Sequence, residues 1–242
     1  MPSLGIGQTL TKSSLVTPGV IRDNLVLKHN YNKDVVEYPS DGAAYFARSN
    51  TDYIAISETT LIVHDTAYSF AFWVNLTSIG DWHPIFGDDD DSPSIHNMIA
   101  IDQENDRFII EGSDGDNIQW NTLQDPLVLG TWNHFALCLD GSGSAKAYQN
   151  GVELTMTADT IGSDFTFKYI GKLASEYLDG YLCNVAYWSS QLTQAQVKSI
   201  MWKNYANLTA LEKKFLISWW SLDYNIASTI VDFHGTNHGT LS

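Results

Sequence analysis

Basic residues are scarce in this chain of 242 residues, where 13 Lys and Arg stand against 28 Asp and Glu for a formal net charge of −15. A charge of that sign opposes docking to a phosphate backbone or an anionic membrane, so we expect neither nucleic acid nor a membrane as partner. Asp supplies 21 of the 28 acids, and Asp is typical of turns and cation-binding loops. The negative charge should therefore lie mainly in loops.

Cysteine and long apolar runs are also scarce. Cys138 and Cys183 lie in separate strand candidates, and we expect two buried free thiols rather than a disulfide. No apolar run approaches the roughly 20 residues of a membrane-spanning helix. Residues 1–19 lack the basic start and apolar middle of a signal peptide, so we expect a protein that is made in the cytoplasm and is either kept there or released by lysis.

The residue spacings that glycoside hydrolysis needs are lacking as well. A retaining glycosidase needs two carboxyl groups about 5–5.5 Å apart, which some glucanases place on one strand as Glu-x-Asp-x-x-Glu. The nearest stretch here carries Glu111, Asp114 and Asp116 but is interrupted by two glycines. Cysteine pairs at zinc spacing are absent too. We therefore predict a protein without enzymatic activity.

Apolar residues, by contrast, are sufficient for a full core, because they make up 44% of the chain and include eight Trp. In the stretch TWNHFALCLD, Phe135, Leu137 and Leu139 alternate with less apolar neighbours, which is the period of a strand with its first set towards the core. Asn150-Gly151 predicts a two-residue hairpin turn. Strand candidates follow at 24–31, 43–47, 52–56, 67–75, 83–86, 97–101, 107–111, 117–120, 132–140, 144–149, 152–155, 167–170, 180–188 and 216–222.

Two capping boxes predict short helices near the C-terminal end. Thr193 with Gln196 precedes apolar residues at helical spacing, and Thr209 with Glu212 opens the segment ALEKKFL. The fold class is therefore all-β: a two-sheet antiparallel sandwich with one or two short C-terminal helices.

The two ends of the chain differ in character. Residues 1–22 are polar, contain Pro2 and Pro18 and lack a sustained period, so they predict an extended N-terminal arm. Residues 23–242 predict a single sandwich, in which residues 216–242 form a completing segment. Because the arm cannot form a core of its own, we expect it to be held by a partner.

Four stretches in order resemble the laminin-G-like, or concanavalin A-like lectin/glucanase, jelly roll. They are SDGAAYFARSNTDYIAI, AYSFAFWVNLTSIGDWHPIFG, GTWNHFALCLDGSGSAKAYQNGVEL and YIGKLASEYLDGYLCNVAYWSSQLTQAQVKSI. The resemblance spans about residues 40 to 202 and implies a jelly-roll sandwich. The final segment, ISWWSLDYNIASTIVDFHGTNHGTLS, is similar to the segment that normally opens such a domain.

The final segment, SDGAAYF and SIMWKNY together resemble laminin-G-like proteins of marine tailed-bacteriophage particles. That resemblance implies a virion localisation and a structural role as capsid decoration or as a tail or fibre appendage. The expected partners are other virion proteins, reached through the arm, in a homo-oligomer or array. The alternative is a carbohydrate-binding lectin module for a surface glycan, with or without calcium.

Calcium binding would use loop oxygens, because Ca²⁺ takes 6–8 oxygen ligands from carboxylates, amides and carbonyls. A solvated, self-repelling loop is the alternative for the run 88–91, and turn capping is the alternative for the isolated acids. At Cys183-Asn184 the resembling family commonly has Asp-Glu, so two acids that would support a metal are missing. The candidate metal ligands are Asn50, Asp52, Asp88, Asp90 and Asp179.

Glycan binding would use an exposed aromatic ring that stacks on a sugar beside Asp and Asn. Trp82 in GDWHP and Trp120 in NIQWN are the candidates, because neither lies in a strongly apolar run. Half-buried packing is the alternative for each of them.

Overall fold

A computed structural model gives the fold of the chain from residue 42 onward. The segments proposed above as an arm at 1–22 and as a strand at 24–31 lie outside the described residues. The structure describes residues 42–63, 65–79, 82–88, 98–111, 117–121, 127–156, 164–223, 225–226 and 228–242.

Nineteen strands and one α-helix make up this region. The strands are β1 Ala44–Phe46, β2 Ile54–Ile62, β3 Ala67–Leu76, β4 His83–Gly87, β5 Met98–Asp102, β6 Arg107–Glu111, β7 Asn117–Asn121, β8 Asn133–Asp140, β9 Ala145–Gln149, β10 Val152–Glu153, β11 Thr155–Met156, β12 Phe165–Ile170, β13 Lys172–Leu173, β14 Glu176–Tyr177, β15 Gly180–Trp188, β16 Leu216–Trp220, β17 Asn225–Ile226, β18 Thr229–Ile230 and β19 Gly239–Leu241. Helix α1 spans Gln194–Ile200, and short 3₁₀ turns lie at Arg48–Asn50 and Tyr205–Asn207.

These strands form the two-sheet antiparallel sandwich that the sequence predicts. The first sheet has the order β1-β15-β3-β8-β9-β10, with β16 also paired to β15. The second sheet has the order β11-β7-β6-β5-β4-β12-β2-β19-β18-β17, and β13 and β14 form a separate hairpin. The predicted all-β fold class is confirmed. No helix among the described residues is long and apolar enough to cross a membrane.

Strand β8 shows how the core is assembled. Phe135, Leu137 and Leu139 face the space between the sheets, as their alternation predicts. The opposite face of the strand is buried as well, because Ala136 and Cys138 pack beneath α1 and β16. Both cysteines of the chain are buried free thiols, and burial raises the pKa of the Cys138 thiol to about 12. The central strand therefore lies between two apolar layers.

The hairpin that joins β9 and β10 has the predicted two-residue turn. Val152 pairs with Gln149, and the intervening Asn150 and Gly151 have φ angles of 51° and 77°. Asn and Gly are the residues that adopt this left-handed conformation most readily. The Asn-Gly prediction is confirmed.

Only one of the two predicted α-helices forms. Thr193 and Gln196 make a reciprocal capping box, and Val197 and Ile200 turn the apolar side of α1 inward. Thr209 and Glu212 also form their reciprocal bonds, but residues 210–215 adopt hydrogen-bonded turns. The prediction of a second helix is wrong, because the segment runs straight into β16, which begins at Leu216.

Glu212 ties these turns to α1. Its carboxylate accepts hydrogen bonds from Lys203 at 2.6 Å and from Ser199 at 2.7 Å. Burial alone would raise the pKa of Glu212, but hydrogen bonds from Lys203, Thr209 and Ser199 lower it to about 2. The segment thus serves as a clamp on the helix that covers the first sheet.

The C-terminal segment contributes strands to both sheets. Strand β16 pairs with β15, with Trp220 opposite Val185, while β19 pairs with β2 in the second sheet. Trp220 and Leu222 lie in the core cluster that contains Phe135. Trp219 faces the other way, towards the helix.

Candidate functional site

Arg48 brings together three regions that carry predicted site residues. It lies in the 3₁₀ turn after β1 and donates from Nη2 to the carbonyl oxygen of Trp82 at 2.6 Å. Its Nε donates to the carbonyl oxygen of Tyr177 at 2.9 Å. The 48–52 turn, the start of β4 and the β13–β14 hairpin therefore meet at one end of the second sheet.

His83 lies beneath this junction. Its Nδ1 accepts a hydrogen bond from the backbone N–H of Asp179 at 3.4 Å. Burial and the positive charge of Arg48 lower the pKa of His83 to about 4, although the charge of Asp179 acts in the opposite direction. The imidazole is therefore neutral at physiological pH and acts as a hydrogen-bond acceptor.

The acidic residues predicted near this junction hold turns in place. Asp52 accepts from the backbone N–H of Ala47 at 2.9 Å, which closes the 3₁₀ turn. Asp179 accepts from the Thr77 hydroxyl at 3.4 Å. Asn50 is exposed on the same turn. The contact of Asp52 is that of a turn cap, whereas Asp179 accepts from a side-chain hydroxyl.

The other predicted calcium ligands lie elsewhere. Asp88 is buried and accepts from the Thr166 hydroxyl at 2.8 Å, whereas Asp90 lies outside the described residues. At the Cys183-Asn184 position, Cys183 is buried against Trp73, and Asn184 forms a β-bulge with φ 49°. Within the described part of the chain, no group of three or more His, Cys, Asp and Glu is arranged to hold a metal ion.

Three tyrosines lie beside the Arg48 junction, and we call Tyr53, Tyr169 and Tyr177 the tyrosine cluster. The rings of Tyr53 and Tyr169 meet edge to face with centroids 5.2 Å apart. The Tyr177 ring lies 6.4 Å from Tyr53. Lys172 Nζ lies over two of these rings, 4.8 Å from the Tyr53 centroid and 4.4 Å from the Tyr169 centroid. All four side chains are partly exposed.

The tyrosine cluster follows from the register of two paired strands. Ile54 of β2 and Ile170 of β12 are directly opposite each other and fully buried. Because successive residues of a strand point to opposite faces, the preceding Tyr53 and Tyr169 lie on the outer face. Our reading of the sequence missed this cluster, although the repeated Tyr-Ile pairs at 53–54 and 169–170 are a visible signal for it.

The two predicted rim tryptophans have different positions. Trp82 is partly buried and packs on the outer face of the second sheet against Met98, Ala100 and Leu173. Its backbone contact with Arg48 places it next to the tyrosine cluster. Trp120 lies on β7 opposite Phe108, and its side chain is outside the described part of the structure.

Carboxylates and histidines away from this end have structural contacts. Asp102 accepts from Asn105 Nδ2 at 2.9 Å within a turn, and Glu111 is buried on β6. His234 Nδ1 lies 3.3 Å from the Tyr205 hydroxyl, whereas His238 Nδ1 accepts from the backbone N–H of Asp232. The two imidazoles are thus held by different groups, although four positions separate them in sequence.

A family profile matches most of the sandwich. The profile described as the concanavalin A-like lectin/glucanases superfamily matches residues 48–198. No curated protein matches the chain in sequence.

Solved structures share the fold at low sequence identity. A protein from Bacteroides ovatus, described as carbohydrate-binding, is 20% identical over 83% of this chain, with a TM-score of 0.61. The match spans 57% of that protein's length. A heptameric SAP-like pentraxin from Limulus polyphemus is 15% identical over 68% of this chain and 79% of its own, with a TM-score of 0.46.

Proposed function

The chain belongs to the concanavalin A-like lectin/glucanases superfamily, and we propose that its sandwich binds carbohydrate and that the protein is a non-enzymatic structural component of a phage particle. The tyrosine cluster is the observation that carries the binding site. It combines partly exposed rings with an ammonium group and with nearby polar turns.

The chemistry of the tyrosine cluster suits a sugar. A pyranose ring has an apolar C–H face that stacks on an aromatic ring, while its hydroxyls need fixed polar partners. Tyr53 and Tyr169 supply rings that hold each other at right angles, and Lys172 supplies donors beside them. Rings that are already packed lose little conformational freedom on binding, which favours affinity.

The Arg48 junction supports this site from below. Arg48 fixes the backbone of Trp82 and Tyr177 through two hydrogen bonds, so an aromatic residue on each side is held in place. Asp179 is fixed by Thr77 and His83 at the same end of the sheet. Polar groups held in this way are preorganised to orient a ligand.

We propose that calcium contributes to glycan binding, and we assign it no fixed site. Two carbonyl oxygens at the junction, those of Trp82 and Tyr177, already accept from Arg48. A guanidinium at this position opposes a second cation by charge repulsion. Calcium would therefore bind through Asn50, Asp52 or Asp179 at the rim, and a chelator tests its contribution.

We expect Tyr169→Ala to weaken glycan binding by about tenfold, because it removes a stacking ring and the platform beneath Lys172. The measurement is binding to a glycan array, followed by calorimetric titration of the best glycan with and without EDTA. Tyr169→Phe is the matched control and should retain most of the affinity. Comparing the melting temperatures separates loss of binding from loss of fold.

Two results would contradict the proposed site. Equal affinity of the Tyr169→Ala and wild-type proteins for the same glycan would show that the tyrosine cluster does not bind it. Hydrolysis of a glucan or galactan that is abolished in Glu111→Gln would show that the protein is an enzyme.

The particle role rests on the sequence of the two ends. Residues 1–22 have the composition of an arm that cannot build a core, and the C-terminal segment resembles that of marine phage particle proteins. The proposed partners are other virion proteins and further copies of the chain.

Deletion of residues 1–22 should leave a folded, monomeric sandwich that no longer joins its assembly. Circular dichroism and light scattering report the fold and mass of the shortened protein, and cosedimentation with particles that lack the protein reports its assembly. The full chain is the control. If the shortened protein joined the particles as well as the full chain does, the arm would not be what attaches the protein.

A further inference from the structure

A row of aromatic residues crosses the outer face of the first sheet, whereas Tyr53 and Tyr169 of the tyrosine cluster lie on the second sheet. Tyr45 of β1 lies directly opposite Tyr181 of β15, and Tyr181 lies opposite Asn75 of β3. The Tyr45 and Tyr181 rings lie 4.8 Å apart at 38°. Three neighbouring strands thus present aligned side chains on the same face.

Trp132 extends this row across a fourth strand position. Val74 of β3 pairs with Asn133 at the start of β8. Because the two strands are antiparallel, Trp132, the residue before Asn133, lies opposite Asn75. The Trp132 ring lies 6.4 Å from the Tyr181 ring. Adjacent strands lie about 4.8 Å apart, so the row is about 14 Å long.

Trp202 follows α1, and its ring lies 5.3 Å from that of Trp73, which packs in the same cluster as Trp132. We call Tyr45, Tyr181, Trp132 and Trp202 the aromatic row. Tyr45 is 50% exposed, Tyr181 37% and Trp202 51%. Together these rings form one aromatic patch, and the largest apolar patch on a protein surface is often functional.

The size of the row fits a small ligand better than a second copy of the chain. The exposed parts of its four side chains total roughly 400 Å², whereas a stable dimer buries about 800 Å² per partner. The residues of the row are all uncharged, which complements a neutral occupant.

We propose that the aromatic row is a second carbohydrate site that binds a neutral, extended oligosaccharide. Sugar rings stack on Tyr181 and its neighbours. The inference rests on the proposed function for its ligand class only, since its residues lie on the other sheet from the tyrosine cluster. Two sites on one sandwich that bind the same glycan surface would give a higher avidity than either site alone.

The experiment separates the two sites by working in a Tyr169→Ala background. Retardation in native gels that contain xyloglucan or galactomannan measures binding to neutral polysaccharides. Adding Tyr181→Ala should lower the remaining affinity by about tenfold, and Trp202→Ala should act similarly. Phe233→Ala, which removes a ring that is 39% exposed elsewhere, is the matched control and should change nothing. Tyr181→Phe should retain binding because it keeps the ring.

Each other outcome identifies a different failure. Complete loss of retardation in Tyr169→Ala alone would overturn the second site and leave the first intact. If Tyr181→Ala alone abolished retardation and Tyr169→Ala left it unchanged, the second site would be supported and the first overturned. A wild-type dimer that Tyr181→Ala converts to monomer in light scattering would show that this face binds another copy, which overturns the inference.

Discussion

A chain that ends at Asn207 should fail to fold, and it should be insoluble or molten rather than cooperatively folded. The missing part includes β16, which pairs with β15 beside the core, and β19, which pairs with β2 on the other sheet. Both sheets would lose a strand and expose a pairing edge, which favours aggregation.

Trp220 accounts for a large part of this effect. Its side chain is fully buried, stacks on Tyr187 with centroids 6.0 Å apart, and donates from Nε1 to the carbonyl of Asn237 at 2.8 Å. Removing a buried large aromatic costs about 3–5 kcal/mol, against a typical total stability of about 5–15 kcal/mol. One residue of the segment therefore supplies a large fraction of the stability.

Asp232 holds the turn that follows Trp220. Its carboxylate accepts from the backbone N–H groups of Trp219, His234, Gly235 and Asn237 at 3.0 to 3.2 Å. Loss of this carboxylate would leave the buried N–H groups of Trp219 and Asn237 unpaired, at about 1–3 kcal/mol each. The same turn positions Asn237. The Oδ1 atom of Asn237 accepts from the backbone N–H of Glu58 in β2.

The measurement compares the shortened chain with two point variants by urea unfolding at pH 7. Trp220→Ala should lower the unfolding free energy by about 3–5 kcal/mol. Trp202→Ala is the matched control, because Trp202 is 51% exposed, and it should change the free energy by less than about 1 kcal/mol. A shortened chain that unfolds cooperatively at the wild-type temperature would show that residues 208–242 form an independent unit.

Local patterns in the sequence were enough to predict most strands. The alternation of Phe135 and Leu137, the Asn150-Gly151 turn and the Thr193 capping box each depend on neighbouring residues only, and the structure has all three. Strand β2 runs to Ile62 rather than ending at 56, because its second half pairs with β12. That pairing partner lies more than 100 positions away, so local pattern does not reveal it.

The candidate site was only partly predictable for the same reason. Trp82, Asp52 and Asp179 are found near one another, but Arg48 joins their segments through backbone carbonyls that no side-chain pattern encodes. The tyrosine cluster depends on the opposition of Ile54 and Ile170. Register sets such contacts, and register is fixed by the whole sheet.

Acid should destabilise this protein already between pH 6.5 and 5, because two histidines are buried in neutral form. Burial lowers the pKa of His134 to about 3, and burial with the Arg48 charge lowers that of His83 to about 4. Below pH 6.5 the unfolded chain takes up protons that the folded chain does not. Stability therefore falls with pH until the folded-state pKa values are reached.

The effect of His134 can be isolated by substitution. Its ring packs edge to face on Trp73 with centroids 5.3 Å apart, and no donor or acceptor among the described residues pairs with its Nδ1. His134→Phe keeps this ring contact and removes the titrating group. It should therefore reduce the slope of unfolding free energy against pH by up to about 1.4 kcal/mol per pH unit.

The pH range from 6.5 to 5 separates this effect from that of the carboxylates. Glu212, with its pKa lowered to about 2 from 4.5, contributes stability that begins to be lost only as pH falls below about 4.5. Urea unfolding of the wild type, His134→Phe and His234→Phe at four pH values in this range gives the slopes. His234 is exposed, so the last variant should follow the wild type. Parallel curves for His134→Phe and the wild type would mean that His134 does not remain neutral in the folded protein, because its burial would then carry no pH-dependent cost.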